Sequence, residues 1–198
     1  DETMPLPPFP KPEEARDELI SIVTSLSYVT GSDLRLASGK TSSYYFNMKP
    51  TMLDARGAFL IGLLILDKIE PMQVSLVGGL EMGAVPLATA VAAVSAAKGE
   101  PVSAFFVRKQ IKDHGTQSLI EGLAAEETIE NRRVVILEDV TTTGGSAIKA
   151  VETVRAEGAE VVAVITVLDR QEGAEAAFKK AGVAFHSLMT KDDVVGRA

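Results

Sequence analysis

The thirteen residues Val134–Val135–Ile136–Leu137–Glu138–Asp139–Val140–Thr141–Thr142–Thr143–Gly144–Gly145–Ser146 decide how the rest of the chain is read. Four β-branched or aliphatic residues form a short buried strand, which reads as part of a parallel sheet. Two acids follow at its carboxyl end, then a Thr/Gly turn, then the start of a helix. Ligands of open α/β sheets bind at that place. The amides freed by Gly144 and Gly145, the hydroxyls of Thr141, Thr142, Thr143 and Ser146, and the helix dipole form a cradle for an anion such as phosphate. Glu138 and Asp139 repel phosphate, and suit the hydroxyls of a sugar, directly or through Mg²⁺. A phosphorylated ribose satisfies both halves. The bland alternative, a polar turn capping a helix, does not account for acids, hydroxyls and glycines falling in this order. There is no G-x-x-x-x-G-K-[ST] or G-x-G-x-x-G, so P-loop and dinucleotide-binding readings lose their main support.

Strand and helix alternate on both sides of this segment. Downstream, Ser146–Glu157 reads as a helix closed by Gly158, Val161–Leu168 as a β-branched strand, Gly173–Ala181 as a helix closed by Gly182, and Val183–Phe185 as a last strand. Upstream come a helix over Asp54–Ile69, a strand over Val74–Val77, a helix over Val85–Ala97 and a strand over Val102–Val107. The alternation predicts an α/β fold with a central parallel sheet flanked by helices. The polar, charged stretch Arg108–Glu121 reads as a long mobile connection or β-ribbon. Before Pro50 the pattern differs. A helix over Glu13–Leu26 precedes two short strands, Asp33–Leu36 and Tyr44–Met48, around the turn Ala37–Ser43, making a small N-terminal α+β unit. Five of the nine prolines fall in residues 1–12, which read as a flexible arm.

The 198 residues suit a single domain: arm 1–12, cap about 13–50, core about 51–198. A net charge of −7 is the wrong sign for a broad nucleic-acid-binding face, so any cationic site is local. With no cysteine, a disulfide scaffold, a thiolate metal site and a cysteine nucleophile are all excluded, and a reducing cytoplasm fits. No apolar run approaches the roughly 20 residues of a membrane span, and the Pro-rich start does not read as a signal peptide.

The Glu138–Ser146 segment resembles the 5-phosphoribosyl-1-pyrophosphate (PRPP) signature of type I phosphoribosyltransferases. Three further stretches resemble the orotate-specific branch of that family, in family order over about residues 34–172. Arg108–Lys109–Gln110–Ile111–Lys112–Asp113–His114–Gly115 is similar to its mobile catalytic loop. Leu168–Asp169–Arg170–Gln171–Glu172 is similar to its base-recognition element, and Ser38–Gly39–Lys40–Thr41–Ser42–Ser43–Tyr44–Tyr45–Phe46–Asn47 to its N-terminal hood. The resemblance implies the type I phosphoribosyltransferase fold with a small hood and a mobile loop. It implies an orotate phosphoribosyltransferase, which transfers ribose 5-phosphate from PRPP to orotate, giving orotidine 5′-monophosphate and pyrophosphate in pyrimidine synthesis. It further implies a cytoplasmic homodimer with shared active sites, Mg²⁺ as cofactor, and neither nucleic acid nor membrane as partner.

Residue by residue, the resemblance assigns PRPP binding to Arg108, Lys109, Lys112, His114, Glu138, Asp139, Val140, Thr141, Thr142, Thr143, Gly144, Gly145 and Ser146. Catalysis falls to Lys109, Lys112, His114 and Asp139, and the orotate contacts to Tyr45, Phe46, Thr142 and Arg170. No direct protein ligand to Mg²⁺ is implied; the ion is carried by PRPP, with Asp139 reaching it through water. The chemistry of the residues agrees. Cations on a closing loop offset charge on a pyrophosphate leaving group, His114 changes charge near neutrality, and Arg170 offers a planar fork to a carboxylate. By spacing alone, Arg170 is a salt-bridge partner of Asp169 or Glu172. His186, within Val183–Leu188, reads as structural. Two lysines common in the family are absent: Glu81 and Met82 stand at one place and Ala37 at the other, leaving Glu81, Met82 and Lys40 as weaker PRPP candidates. The alternatives are a transferase for another nucleobase and a PRPP-binding regulator on the same fold.

Overall fold

The computed structural model describes residues 8–35, 41–110 and 118–198. Helix α1 (Pro12–Leu26) opens on a proline in its first turn with Glu13 and Glu14 at the positive end of its dipole. It buries Ala15, Leu19, Ile20 and Val23 along one stripe, against helix α3 (Ala55–Ile69). Strands β1 (Tyr28–Arg35) and β2 (Thr41–Phe46) form a separate antiparallel ribbon. Both begin earlier than the sequence suggests, because Tyr28 packs on Tyr44 and Phe46, with ring centroids 6.2 and 5.2 Å away, and draws the chain into the pair.

A short helix α2 (Lys49–Leu53) follows where Pro50 reads as a break; proline sits in its first turn, where no amide donor is missed. Asp54 then caps α3, accepting from the amides of Arg56 at 3.0 Å and Gly57 at 2.8 Å. A single 3₁₀ turn (Glu70–Met72) leads into β3 (Leu76–Gly78), helix α4 (Ala84–Lys98) and β4 (Ser103–Ala104).

The expected strand Val102–Val107 divides at buried Phe105. Its first part, β4, joins the main sheet, while β5 (Phe106–Val107) pairs antiparallel with β6 (Ile120–Glu121). The Arg108–Glu121 connection therefore leaves the sheet as a ribbon at its described ends. Beyond it come β7 (Arg133–Thr141), α5 (Gly145–Ala156), β8 (Glu160–Asp169), α6 (Ala174–Lys180), β9 (Ala184–Thr190) and α7 (Lys191–Val195). Strand β9 runs past Phe185 because the backbone of the mixed segment His186–Thr190 pairs with β8. The capping box of Thr190 and Asp193 starts α7.

The main sheet is parallel with order β4-β3-β7-β8-β9, as the alternation requires. Strand β7 sends successive side chains to opposite layers. Val135 and Leu137 join the core under α1, α3 and α4, whereas Val134 and Ile136 meet α5 and α6 through Ala147, Val151 and Phe178. Covered on both faces, the central strand exposes polar chain only where it ends, and the site forms there.

Candidate functional site

The acids belong to β7 itself, which runs to Thr141 rather than stopping at Leu137. Glu138 lies opposite Thr166, Val140 opposite Leu168 and Thr141 opposite Asp169 of β8. The strand then breaks, and Gly144, with φ +86°, turns the chain into α5. A side chain at Gly144 would meet the Phe178 ring at 2.9 Å, so conformation and space both call for glycine. Among the described residues no side chain caps α5, which leaves its first amides available to an anion. Val140–Ser146 and Glu138 line a hollow of about 170 Å³ around them.

A second hollow of about 570 Å³ shares Glu138, Val140 and Ser146 with the first, so the two are one cleft. Its size is that of a small-molecule site. Lys49, Met52 and Leu53 of α2 form one wall, the Leu80–Gly83 turn with Pro86 another, and Lys109 and Asp139 complete it.

Two glycines bring the 80–83 turn against β7. A side chain at Gly79 would lie 2.3 Å from the Leu137 carbonyl oxygen, and one at Gly83 2.8 Å from Asp139 Oδ1. The Glu81–Met82 peptide bond is cis. The Glu81 amide donates to the Val107 carbonyl, and Glu81 Oε1 accepts from the Lys109 amide, each at 2.8 Å. Glu81 thus ties the root of the Arg108–Glu121 connection to the cleft, and Met82 is 64% exposed at its rim.

Electrostatically the acids form a coupled pair. Burial, then the charge of Asp139 and a hydrogen bond to it, push Glu138 up to about 8. At neutral pH Glu138 therefore keeps its proton in the main. Sugar hydroxyls meet both an acceptor and a donor there.

The cleft brings together Lys109, Glu138, Asp139, Val140 and Ser146, and the adjoining hollow adds Thr141, Thr142, Thr143, Gly144 and Gly145. The Thr141 hydroxyl is buried without a partner among the described residues. Arg108 turns away, its amide donating to the Leu119 carbonyl at 2.8 Å and its guanidinium 3.7 Å from Glu121. Lys112, His114 and Lys40 lie outside the described residues.

Arg170 stands beside the hollow, its amide donating to the Thr141 carbonyl at 2.9 Å. The aromatic residues of β2 divide by the strand's alternation. Tyr45 is 41% exposed on one face, opposite Val29, while Phe46 is 3% exposed within the core on the other. Tyr44, on the Phe46 side, reaches Arg170. Sequence reasoning passed over Tyr44 and over Lys49, Met52 and Leu53; the one available signal was that proline after Lys49 permits a first helical turn.

Among the described residues no cluster of three or more acidic or histidine side chains could hold a metal ion, and no helix is long and apolar enough to cross a membrane.

The family model for the phosphoribosyl transferase domain matches residues 57–189. The chain is 52% identical, over 92% of its length and 97% of the relative's, to an orotate phosphoribosyltransferase of Rhodopseudomonas palustris (strain BisB5). Among solved structures it is similar to the Mycobacterium tuberculosis H37Rv orotate phosphoribosyltransferase in complex with Fe(III) dicitrate, with TM-score 0.81, 40% identity, and coverage of 91% of this chain and 98% of that one. For the structure of the same M. tuberculosis enzyme in complex with PRPP the TM-score is 0.77 at 38% identity, covering 91% of this chain and 99% of that one.

Proposed function

This chain belongs to the orotate phosphoribosyltransferase family, and on that premise we propose how its cleft transfers ribose 5-phosphate from PRPP to orotate, giving orotidine 5′-monophosphate and pyrophosphate. The observation that carries the reading is the end of β7, where the acid pair Glu138–Asp139 adjoins a hollow built from α5's first turn. The 5-phosphate of PRPP takes the Thr141–Ser146 hollow. The ribose hydroxyls donate to Asp139 and accept from protonated Glu138.

Lys109, on the cleft wall, takes the pyrophosphate side; the family pattern of Arg108–Gly115 gives Lys112 and His114 the same task, to offset negative charge as the bond to the anomeric carbon breaks. Held at both ends, the sugar has only its anomeric carbon to move, from leaving group to base. The base lies toward Arg170, whose fork matches a carboxylate, with Thr142 at the adjoining edge. No protein nucleophile is required.

The donor set fits Mg²⁺ carried on substrate. Oxygen ligands suit this hard cation, which keeps several waters and takes few carboxylates, and Asp139 lines the cleft. With Asp139 beside it, Mg²⁺ brought by the substrate would supply Lewis-acid stabilisation of the leaving group. We read the enzyme further as a cytoplasmic homodimer with shared sites, supported by the family pattern of Arg108–Gly115 and by the cysteine-free sequence. A monomer in sedimentation would overturn the shared-site part.

The test of the function is a set of parallel assays with PRPP, Mg²⁺ and one base each, orotate being followed by its loss of ultraviolet absorbance. Turnover with orotate and not with uracil, hypoxanthine or adenine is expected. Turnover with another base in preference would favour a transferase of different specificity. PRPP binding with no turnover on any base would favour the regulator.

A further inference from the structure

Arg170 is held in an unusual way for a residue meant to meet ligand. Its side chain is only 11% exposed, yet it spends little of its hydrogen-bonding capacity on the protein. One terminal nitrogen, Nη2, lies 2.8 Å from Glu172 Oε1. The Nε–H, on the same edge of the fork, is buried without a partner among the described residues. No described residue bonds Nη1. The guanidinium carbon, Cζ, lies over the Tyr44 ring, 5.3 Å from its centroid. Tyr44 comes from the hood ribbon and is itself fixed by Tyr28 and Phe46, at 6.2 and 5.8 Å between ring centroids.

We propose that Tyr44 and Glu172 are positioning residues for Arg170: the Tyr44 ring fixes the plane of the guanidinium and Glu172 fixes one corner of its fork, so that the remaining donors select a planar ligand bearing a carboxylate. This rests on the reading that Arg170 holds the base. The physical basis is preorganisation. A free arginine loses several rotatable bonds when it binds, whereas a stacked and tethered one has already lost them. An arginine stacked on an aromatic face keeps its donors in the plane, where a carboxylate can engage two at once. A buried N–H with no partner favours any ligand that supplies an acceptor and disfavours one that does not. Uracil, which lacks the carboxylate of orotate, leaves that capacity unmet. Tyr44 also couples the hood to the carboxyl end of β8, so the base pocket needs both units in place.

The test compares Tyr44→Leu, Tyr44→Phe, Glu172→Gln and Arg170→Ala in the full-length enzyme, measuring KM for orotate and for PRPP, with thermal unfolding as a control. Tyr44→Leu keeps apolar bulk and removes the π face. It is expected to raise KM for orotate roughly 3- to 30-fold, the range of a partly desolvated cation–π contact, with KM for PRPP unchanged. Tyr44→Phe keeps the face and is expected to restore the wild-type value. Glu172→Gln is expected to raise KM for orotate by a smaller factor. If Arg170→Ala raises KM for orotate while Tyr44→Leu does not, the positioning role falls and the base-binding reading stands. If neither changes it, the base-binding reading falls first. Equal damage from Tyr44→Phe and Tyr44→Leu would assign the effect to the hydroxyl and overturn the stacking argument. A lower KM for orotate in Glu172→Gln would make Glu172 a competitor of the substrate carboxylate rather than a support.

Discussion

Glu138 shows how burial sets the chemistry of one side chain. Toward the carboxyl end of strand β7, desolvation and the adjacent Asp139 push Glu138 up to about 8. The sign for stability follows directly. A carboxyl whose folded value lies above its unfolded one binds more protons when folded, so stability falls as pH rises between about 4.5 and 8. Within that window each pH unit is worth at most about 1.4 kcal/mol from this group. Glu138→Gln removes the titration and is expected to flatten the fall, read as the unfolding midpoint against pH from 5 to 8. An unchanged slope would show that Glu138 is already ionised at neutral pH.

In the proposed function the junction of β7 and α5 is the element that holds the phosphate. Gly144 there combines a positive φ with a contact to Phe178 that a methyl group would occupy. Gly144→Ala is expected to cost about 1–3 kcal/mol of stability from the backbone alone. It should also weaken PRPP binding, because the amides of the turn move with the strain. Calorimetry and a PRPP titration check both, and an undisturbed PRPP affinity would remove the turn from the site.

Much of this junction was legible beforehand, since its acids, hydroxyls and glycines are contiguous in sequence and a buried strand has a recognisable composition. The split at Phe105 was not, because Val102–Val107 is uniformly apolar while its two halves pair with different partners. Helix α2 was missed for a related reason: Pro50 signals a break and a first helical turn equally well, and only packing decides. Tyr44, Tyr45 and Phe46 make the same point. Strand alternation says that neighbours part company, but not which face meets Arg170, and that contact joins residues 126 positions apart.

At the scale of the molecule, a parallel sheet covered by helices on both sides concentrates function at one end of its central strand. Lys49 and Lys109 face the cleft that also holds Glu81, Glu138 and Asp139. The account divides the site into a phosphate half built on α5's first turn and a base half built on Arg170, meeting at the Thr141 carbonyl. The most direct test of that division is PRPP affinity measured beside orotate turnover in wild-type and Arg170→Ala protein. The account predicts unchanged PRPP affinity with kcat/KM for orotate lowered at least about 30-fold, the lower bound for losing a buried charged partner. Equal loss of both, or full turnover without Arg170, would contradict it.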